Sequence, residues 1–131
     1  MERQKLAIQN SETHVVKCVF PNTTNHYDTL FGGTALQWMD EVAFITATRF
    51  SRQKMVTVTS EKVDFKKPIP SGTFAELVGK VSMVGNTSLK VKVQIFIEQM
   101  HENHRELAVQ GEFVMVAVDE NKKAIPISLG N

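Results

Sequence analysis

Residues 25–49 read NHYDTLFGGTALQWMDEVAFITATR and divide into a turn-rich loop and an apolar segment. The paired Gly32 and Gly33 separate the two halves, and Thr34 is suited to cap a helix that starts there. The eighteen residues from Gly33 to Phe50 predict a helix about 27 Å long at 1.5 Å per residue. Because apolar residues lie on most sides of this helix, we expect it to be buried.

One acid, Asp40, lies inside this segment at helical spacing from apolar residues such as Leu36 and Ala43. A buried carboxylate costs free energy unless it is paired, so its presence requires a reason. Such an acid is either structural, held by a hydrogen-bond partner, or functional. The neighbouring Glu41 projects about 100° away around a helix of 3.6 residues per turn, so we do not expect it to act beside Asp40.

The remaining chain predicts strands. One strand precedes the helix and four follow it, at residues 13–20, 55–65, 74–84, 89–97 and 106–118. The side on which apolar residues fall switches within the second of these, which predicts a bulge near Ser60 to Lys62. Short turns between the last four strands favour antiparallel pairing. Residues 1–12 are polar and are expected to be frayed.

A chain of 131 residues with these elements predicts one α+β domain over residues 1–131. Fifteen basic and fourteen acidic residues leave a net charge of +1, which gives no footprint for nucleic acid or an anionic membrane. The single Cys18 fits a reducing compartment. No signal peptide and no membrane-spanning run is recognised, so we expect a cytoplasmic protein.

Three motifs resemble the hotdog-fold acyl-CoA thioesterases, and within them the cytosolic acyl-CoA hydrolase and brown-fat-inducible thioesterase type. The first motif has Asn25, then FGG at 31–33, then MDE at 39–41. The second joins VTVTS at 56–60 to FKKPI at 65–69, and the third is VGNTSLKVKV at 84–93. The resemblance covers residues 13–118 and implies the hotdog fold, an antiparallel sheet wrapped around one long central helix.

The resemblance also implies an activity, the hydrolysis of an acyl-CoA thioester to a fatty acid and coenzyme A without metal or cofactor. Asp40 would be the catalytic base or nucleophile, Asn25 would orient water or substrate, and the Gly33 N–H would polarise the thioester carbonyl. A helix N-terminus suits that last role because its free N–H groups stabilise an oxyanion. Further contacts to the substrate or its coenzyme A part would come from Gly32, Ser60, Thr87, Ser88 and Lys90.

Members of this family place the Asn and the Asp of one site on opposite subunits. The resemblance therefore implies a homodimer with shared active sites, and many members assemble further into hexamers. One departure concerns Asp28, where many members carry glycine, so the path of this loop and the acyl preference are open. The sequence does not predict the acyl chain length, because contacts between subunits shape the acyl tunnel.

Other functions remain to be weighed against hydrolysis. An acyl-CoA-binding sensor on the same fold would keep the pocket and would not need Asp40. A hydratase needs a histidine paired with an acid, and the only histidine near the helix is His26. Asp28 is an alternative base, subject to geometry. His101 and His104 lie in a turn without the spacing of a helical zinc pair, so we predict no metal site there.

Overall fold

The computed structural model describes residues 2–130 as two helices and five strands, with a 3₁₀ turn at Pro21–Thr23 after the first strand. In chain order they are α1 (Glu2–Ser11), β1 (Thr13–Cys18), α2 (Gly32–Ser51), β2 (Met55–Phe65), β3 (Thr73–Val84), β4 (Ser88–Gln99) and β5 (Arg105–Ala117). No helix between residues 2 and 130 is long and apolar enough to cross a membrane.

All four strand pairings are antiparallel, and the strands lie in the order β1-β3-β4-β5-β2. The alternation that predicted β4 is seen directly, because every second residue from Leu89 to Ile97 is buried and apolar, and the residues between them, Phe96 included, are not buried. The strands β1 and β2 form the two edges of the sheet. These features confirm the predicted α+β hotdog fold.

Helix α2 packs against one face of the sheet and buries a continuous stripe. The buried residues are Ala35, Met39, Val42, Ala43, Thr46, Ala47, Phe50 and Ser51. The helix approaches β3 very closely at Gly79, where an added Cβ would lie 2.5 Å from Thr46 Oγ1 and 2.7 Å from Val42 Cγ1. Only a residue without a side chain allows this contact, which sets how near α2 lies to the sheet.

Two expectations about α2 were wrong. The opposite side of the helix is open in the single chain, with Phe44 48% and Ile45 39% exposed, because one sheet can cover only one side of a helix. The helix also starts at Gly32 rather than Gly33, and the cap position is occupied by Phe31 without a side-chain hydrogen bond. Thr34 therefore lies inside the first turn and is not the cap.

The expectation of a frayed N-terminal segment was also wrong for the described residues, because Glu2–Ser11 forms α1. Its side chains Ala7 and Ile8 pack against the core. The Arg49 guanidinium, near the end of α2, donates to the backbone oxygens of Asn10 at 2.8 Å and Glu12 at 3.1 Å. A cation at the carboxyl end of a helix stabilises it, so α1 depends on a residue distant in sequence.

Strand β2 contains two register breaks against β5. One lies between Glu61 and Asp64, where Lys62 has a φ of 51°, and it confirms the predicted bulge. The other lies between Thr57 and Thr59 and was not predicted. An extra residue in a strand reverses the side on which the following residues project. As a result, Thr57 and Ser60, three positions apart, both line the same groove beside α2.

Candidate functional site

The groove lies between the first two turns of α2 and the edge of the sheet, and its volume is about 500 Å³. The helix contributes four residues at the spacing i, i+3, i+4 and i+7, which places them on one helix face. They are Gly33, Leu36, Gln37 and Asp40. The opposite wall is formed by Thr57, Thr59 and Ser60 of β2 and Phe113 of β5. Five of the side chains that line the groove are polar, and two, Leu36 and Phe113, are apolar.

Asp40 is half-buried at the inner end of this helix face. Its Oδ1 accepts a hydrogen bond of 2.7 Å from the Thr57 hydroxyl, which also lies 3.3 Å from Met115 Sδ. Among residues 2–130, no group donates a hydrogen bond to Oδ2. One carboxylate oxygen is therefore held by the protein, while the other is available to a water molecule or a substrate.

Gly32 and Gly33 form the first two positions of α2, where backbone N–H groups have no partner within the helix. No atom lies within 4 Å of the position that a Cβ would take on Gly33, so the backbone there is open to a ligand. A Cβ on Gly32 would instead meet the Phe65 ring at 3.8 Å. The open N–H groups and the positive end of the helix dipole suit an anionic oxygen.

Asn25 organises the loop before α2 and does not line the groove of Asp40. Its Oδ1 accepts hydrogen bonds from Tyr27 N at 2.9 Å, Thr29 N at 3.3 Å and Thr29 Oγ1 at 3.1 Å. The Ser71 N–H also donates to the Asp28 carbonyl oxygen at 2.8 Å, which fixes the loop to the turn before β3. Within one chain, Asn25 and Asp40 thus belong to separate surfaces.

Asp28 adopts a φ of 58°, which lies in the left-handed region that favours glycine. Aspartate tolerates this conformation better than most residues, because its short polar side chain can interact with nearby backbone groups. Asp28 therefore adopts a backbone conformation that a glycine at this position would also adopt. Asp28 does not line the groove, so its placement gives no support to a role as base.

The residues predicted to contact coenzyme A do not lie together in one site. Ser60 lines the groove, whereas Thr87, Ser88 and Lys90 do not. Thr87 and Ser88 lie at the turn into β4, where their carbonyl oxygens accept from Ala117 N at 3.1 Å and Gly85 N at 2.7 Å. The Lys90 Nζ donates to Glu61 Oε2 at 3.2 Å. A phosphate at Lys90 would have to compete with this carboxylate.

The sequence interpretation missed Thr57, Gln37, Thr59 and Phe113 as groove residues. The helical spacing from Gly33 to Asp40 was a usable signal for Gln37, because i+4 falls on the same face. Thr57 could not be placed, since its contact with Asp40 depends on the pairing of β2 with β5. No group of histidine, cysteine and acidic side chains that could hold a metal is present among residues 2–130.

An antiparallel sheet around one long helix, with a carboxylate groove at the start of that helix, defines a protein of the hotdog class. The family model of the thioesterase superfamily matches residues 27–103. A Bacillus subtilis protein, the uncharacterised acyl-CoA thioester hydrolase YkhA, is 39% identical over 118 residues, covering 88% of this chain and 69% of that protein. The chain therefore belongs to the thioesterase superfamily.

Two solved structures extend the comparison. An acyl-CoA hydrolase from Staphylococcus aureus, in complex with butyryl coenzyme A and coenzyme A, is 36% identical with a TM-score of 0.88. The match covers 93% of this chain and 74% of that one. An apo-hexameric acyl-CoA thioesterase is 35% identical with a TM-score of 0.89, and the match covers 93% of this chain and 78% of that one.

The Staphylococcus aureus enzyme has also been solved as three single alanine variants, in which an Asn, an Asp and a Thr were replaced. In that enzyme the Asp follows the Asn by 15 positions, and the Thr follows the Asp by 17. The same residue types recur here with the same separations, as Asn25, Asp40 and Thr57. The alanine variant at the Asn was solved in complex with coenzyme A.

Proposed function

We propose that this protein is an acyl-CoA thioesterase that hydrolyses an acyl-CoA to a fatty acid and coenzyme A. The observation that carries the proposal is the pairing of Asp40 with Thr57 in a groove that begins at the open N–H of Gly33. This arrangement supplies a carboxylate for water activation and a donor for the developing oxyanion, which are the two requirements of thioester hydrolysis. The matching Asn, Asp and Thr separations in the Staphylococcus aureus hydrolase support it.

In this mechanism Asp40 acts as a general base rather than as a nucleophile. Seven residues of α-helix separate Gly33 from Asp40, which is about 10.5 Å along the axis. A direct attack requires reacting atoms about 3–3.5 Å apart. A thioester whose carbonyl oxygen is bound at the Gly33 N–H leaves room between its carbon and Asp40 for one water molecule. The free Oδ2 is the oxygen that would accept the proton.

A homodimer with shared active sites accounts for the position of Asn25. This residue lies outside the groove of Asp40 in its own chain, so Asn25 of one subunit would complete the site of the other. The open side of α2 presents Phe44 and Ile45, and the β2 edge presents Val58 at 60% exposure. These apolar side chains are suited to contact a second copy. The hexameric relative supports a further assembly of three dimers.

Substrate binding would use the groove and surfaces outside it. Gly32 and Ser60 would contact the thioester and the adjoining pantetheine arm, and the turn with Thr87 and Ser88 would approach the phosphates together with Lys90. The coenzyme A part has several negative charges and the chain has a net charge of only +1, so such a local site is required. The exposed, unpaired thiol of Cys18 supports a location in the cytoplasm.

The experiment is an assay of thioester cleavage over a panel of acyl-CoA chain lengths with the wild type, Asp40→Asn and Glu41→Gln. Glu41 is exposed on the same helix and does not line the groove, which makes its variant a matched control. Asp40→Asn should lose at least about 100-fold in kcat, as expected when a general base is removed. Tight binding without turnover by the wild type would favour the alternative, an acyl-CoA sensor.

A further inference from the structure

Gln37 is the one groove residue whose side chain has a hydrogen-bonding amide. It lies on α2 one turn after Gly33 and one turn before Asp40, and it is exposed in the groove. Among residues 2–130, its amide makes no hydrogen bond to another residue. A long side chain is most often solvated on a helix surface, but this one lies between the two groups that the proposed reaction uses.

The orientation of Asp40 makes this position significant. Thr57 holds Oδ1, so Oδ2 is the oxygen that can bind water. Helical side chains tilt toward the N-terminus of their helix, so the Asp40 carboxylate leans toward the turn that contains Gln37. Residues at i and i+3 on a helix have Cβ atoms about 5–6 Å apart, a distance that one water molecule can bridge between their polar ends.

We propose that Gln37 holds the attacking water together with Asp40. This inference rests on the proposed thioesterase function. The Gln37 carbonyl oxygen accepts one O–H of the water, and Asp40 Oδ2 takes the other proton as the water oxygen forms a bond to the thioester carbon. The carbon–sulfur bond of the tetrahedral intermediate then breaks. The coenzyme A thiolate leaves and receives the proton from Asp40, which restores the carboxylate.

An amide fits this role better than a charged side chain. A carboxylate at position 37 would repel the charge of Asp40 and disfavour its ionised form, whereas a lysine would neutralise the base. A neutral acceptor fixes the direction of the water without either effect. The amide N–H₂ is left to donate to a neighbouring group, since a glutamine side chain carries both functions.

Two substitutions separate water positioning from a structural role. Gln37→Met keeps the length and helix propensity but removes the acceptor. We expect kcat to fall about 10-fold to 100-fold with KM changed less than about twofold, as for a hydrogen bond made to the reacting group. Gln37→Glu keeps an acceptor oxygen, and the acidic limb of its kcat profile should move to higher pH because a second carboxylate faces Asp40. Glu41→Gln should leave both readouts unchanged.

Several outcomes would overturn this inference. Wild-type kcat in Gln37→Met, or a raised KM at unchanged kcat, would show that Gln37 does not hold the water. An unmoved pH profile in Gln37→Glu would show that the side chain does not face Asp40. If the wild type turns over no acyl-CoA, the proposed thioesterase function itself is wrong. That outcome is distinct from one in which the wild type is active and only the proposed role of Gln37 is wrong. Circular dichroism and the urea midpoint would check that each variant is folded.

Discussion

The Thr57 hydroxyl donates a hydrogen bond of 2.7 Å to Oδ1 of Asp40, joining the edge strand β2 to the central helix. This bond leaves one carboxylate oxygen fixed and the other open, so Thr57 determines which way the Asp40 carboxylate faces. It also links two residues that are 17 positions apart in the chain. Because Thr57 is exposed at the strand edge, the bond contributes more to orientation than to stability.

Replacing Thr57 with valine should therefore reduce activity with little effect on folding. Valine keeps the β-branched shape and removes the donor, so the Asp40 carboxylate is no longer held in one orientation. We expect kcat to fall about tenfold or more, while the free energy of unfolding changes by less than about 1 kcal/mol. Thr57→Ser retains the hydroxyl and is the control. Equal rates for the valine and serine variants would contradict the orienting role.

Much of this architecture is predictable because it depends on local patterns. The alternation in β4 and the long apolar segment of α2 follow from spacing alone, and so does the grouping of Gly33 with Asp40 on one helix face. The assignment of Asn25 depends on a motif, since its structural contacts are those of any residue that organises a turn.

The parts that escaped prediction depend on contacts between distant segments. Helix α1 is rich in helix-forming residues, but it is polar and only ten residues long, and Arg49 binds the carbonyl groups at its end. The break beside Thr57 arises from the pairing of β2 with β5, and it decides which β2 side chains reach the groove. The open side of α2 is apolar in sequence. The helical spacing of apolar residues predicts that this side is covered, but it does not distinguish a sheet from a second subunit.

The close approach at Gly79 predicts a stability effect without a direct effect on the site. In Gly79→Ala, the new Cβ would lie 2.5 Å from Thr46 Oγ1 and 2.7 Å from Val42 Cγ1, so helix and sheet would have to separate. Overpacking of this kind costs about 1–3 kcal/mol. Urea denaturation of Gly79→Ala should show this loss. Gly33→Ala is the stability control, because its Cβ would meet no atom within 4 Å; equal losses in both variants would contradict the steric account.

His14 predicts a small dependence of stability on pH. The hydrogen bond to Glu12 raises the pKa of His14 above its ordinary 6.5, with partial burial acting against it and Glu76 adding to it. Arg105 and Lys80 are the cations that contact these two carboxylates. A raised folded-state pKa gives stabilisation that is complete below pH 6.5 and is lost as pH rises through the raised value.

The corresponding measurement compares wild type with His14→Gln in urea at pH 5.5 and at pH 8.5. The His14 side chain is 50% exposed, so the difference should be about 0.5 kcal/mol at the lower pH and should vanish at the higher one. His101→Gln, in the exposed loop before β5, is the matched control. A difference that grows with pH would contradict the assignment.

Isotope labelling of the solvent water tests whether Asp40 acts as a general base or as a nucleophile. With enzyme in excess over acyl-CoA in ¹⁸O-labelled water, a general-base mechanism places the label in the released acid and none in the protein. A nucleophilic Asp40 would form an anhydride with the acyl group and release the coenzyme A thiolate, and attack of labelled water on the Asp40 carbonyl carbon would then leave label in the peptide that contains Asp40. Because two helical turns separate Gly33 from Asp40, we expect unlabelled protein. Label in that peptide, measured by mass spectrometry, would contradict the general-base mechanism.

Shared active sites predict that two inactive variants restore each other. In a dimer formed from one Asp40→Asn and one Asn25→Ala subunit, one site combines the intact Asn25 of the first with the intact Asp40 of the second. The other site has both substitutions. Random mixing makes half of the dimers mixed, so about a quarter of the wild-type activity should return in a twofold-symmetric dimer. Each variant alone is the control, measured after the same unfolding and refolding. If Asn25 acts within its own chain, the mixture will remain as inactive as its components.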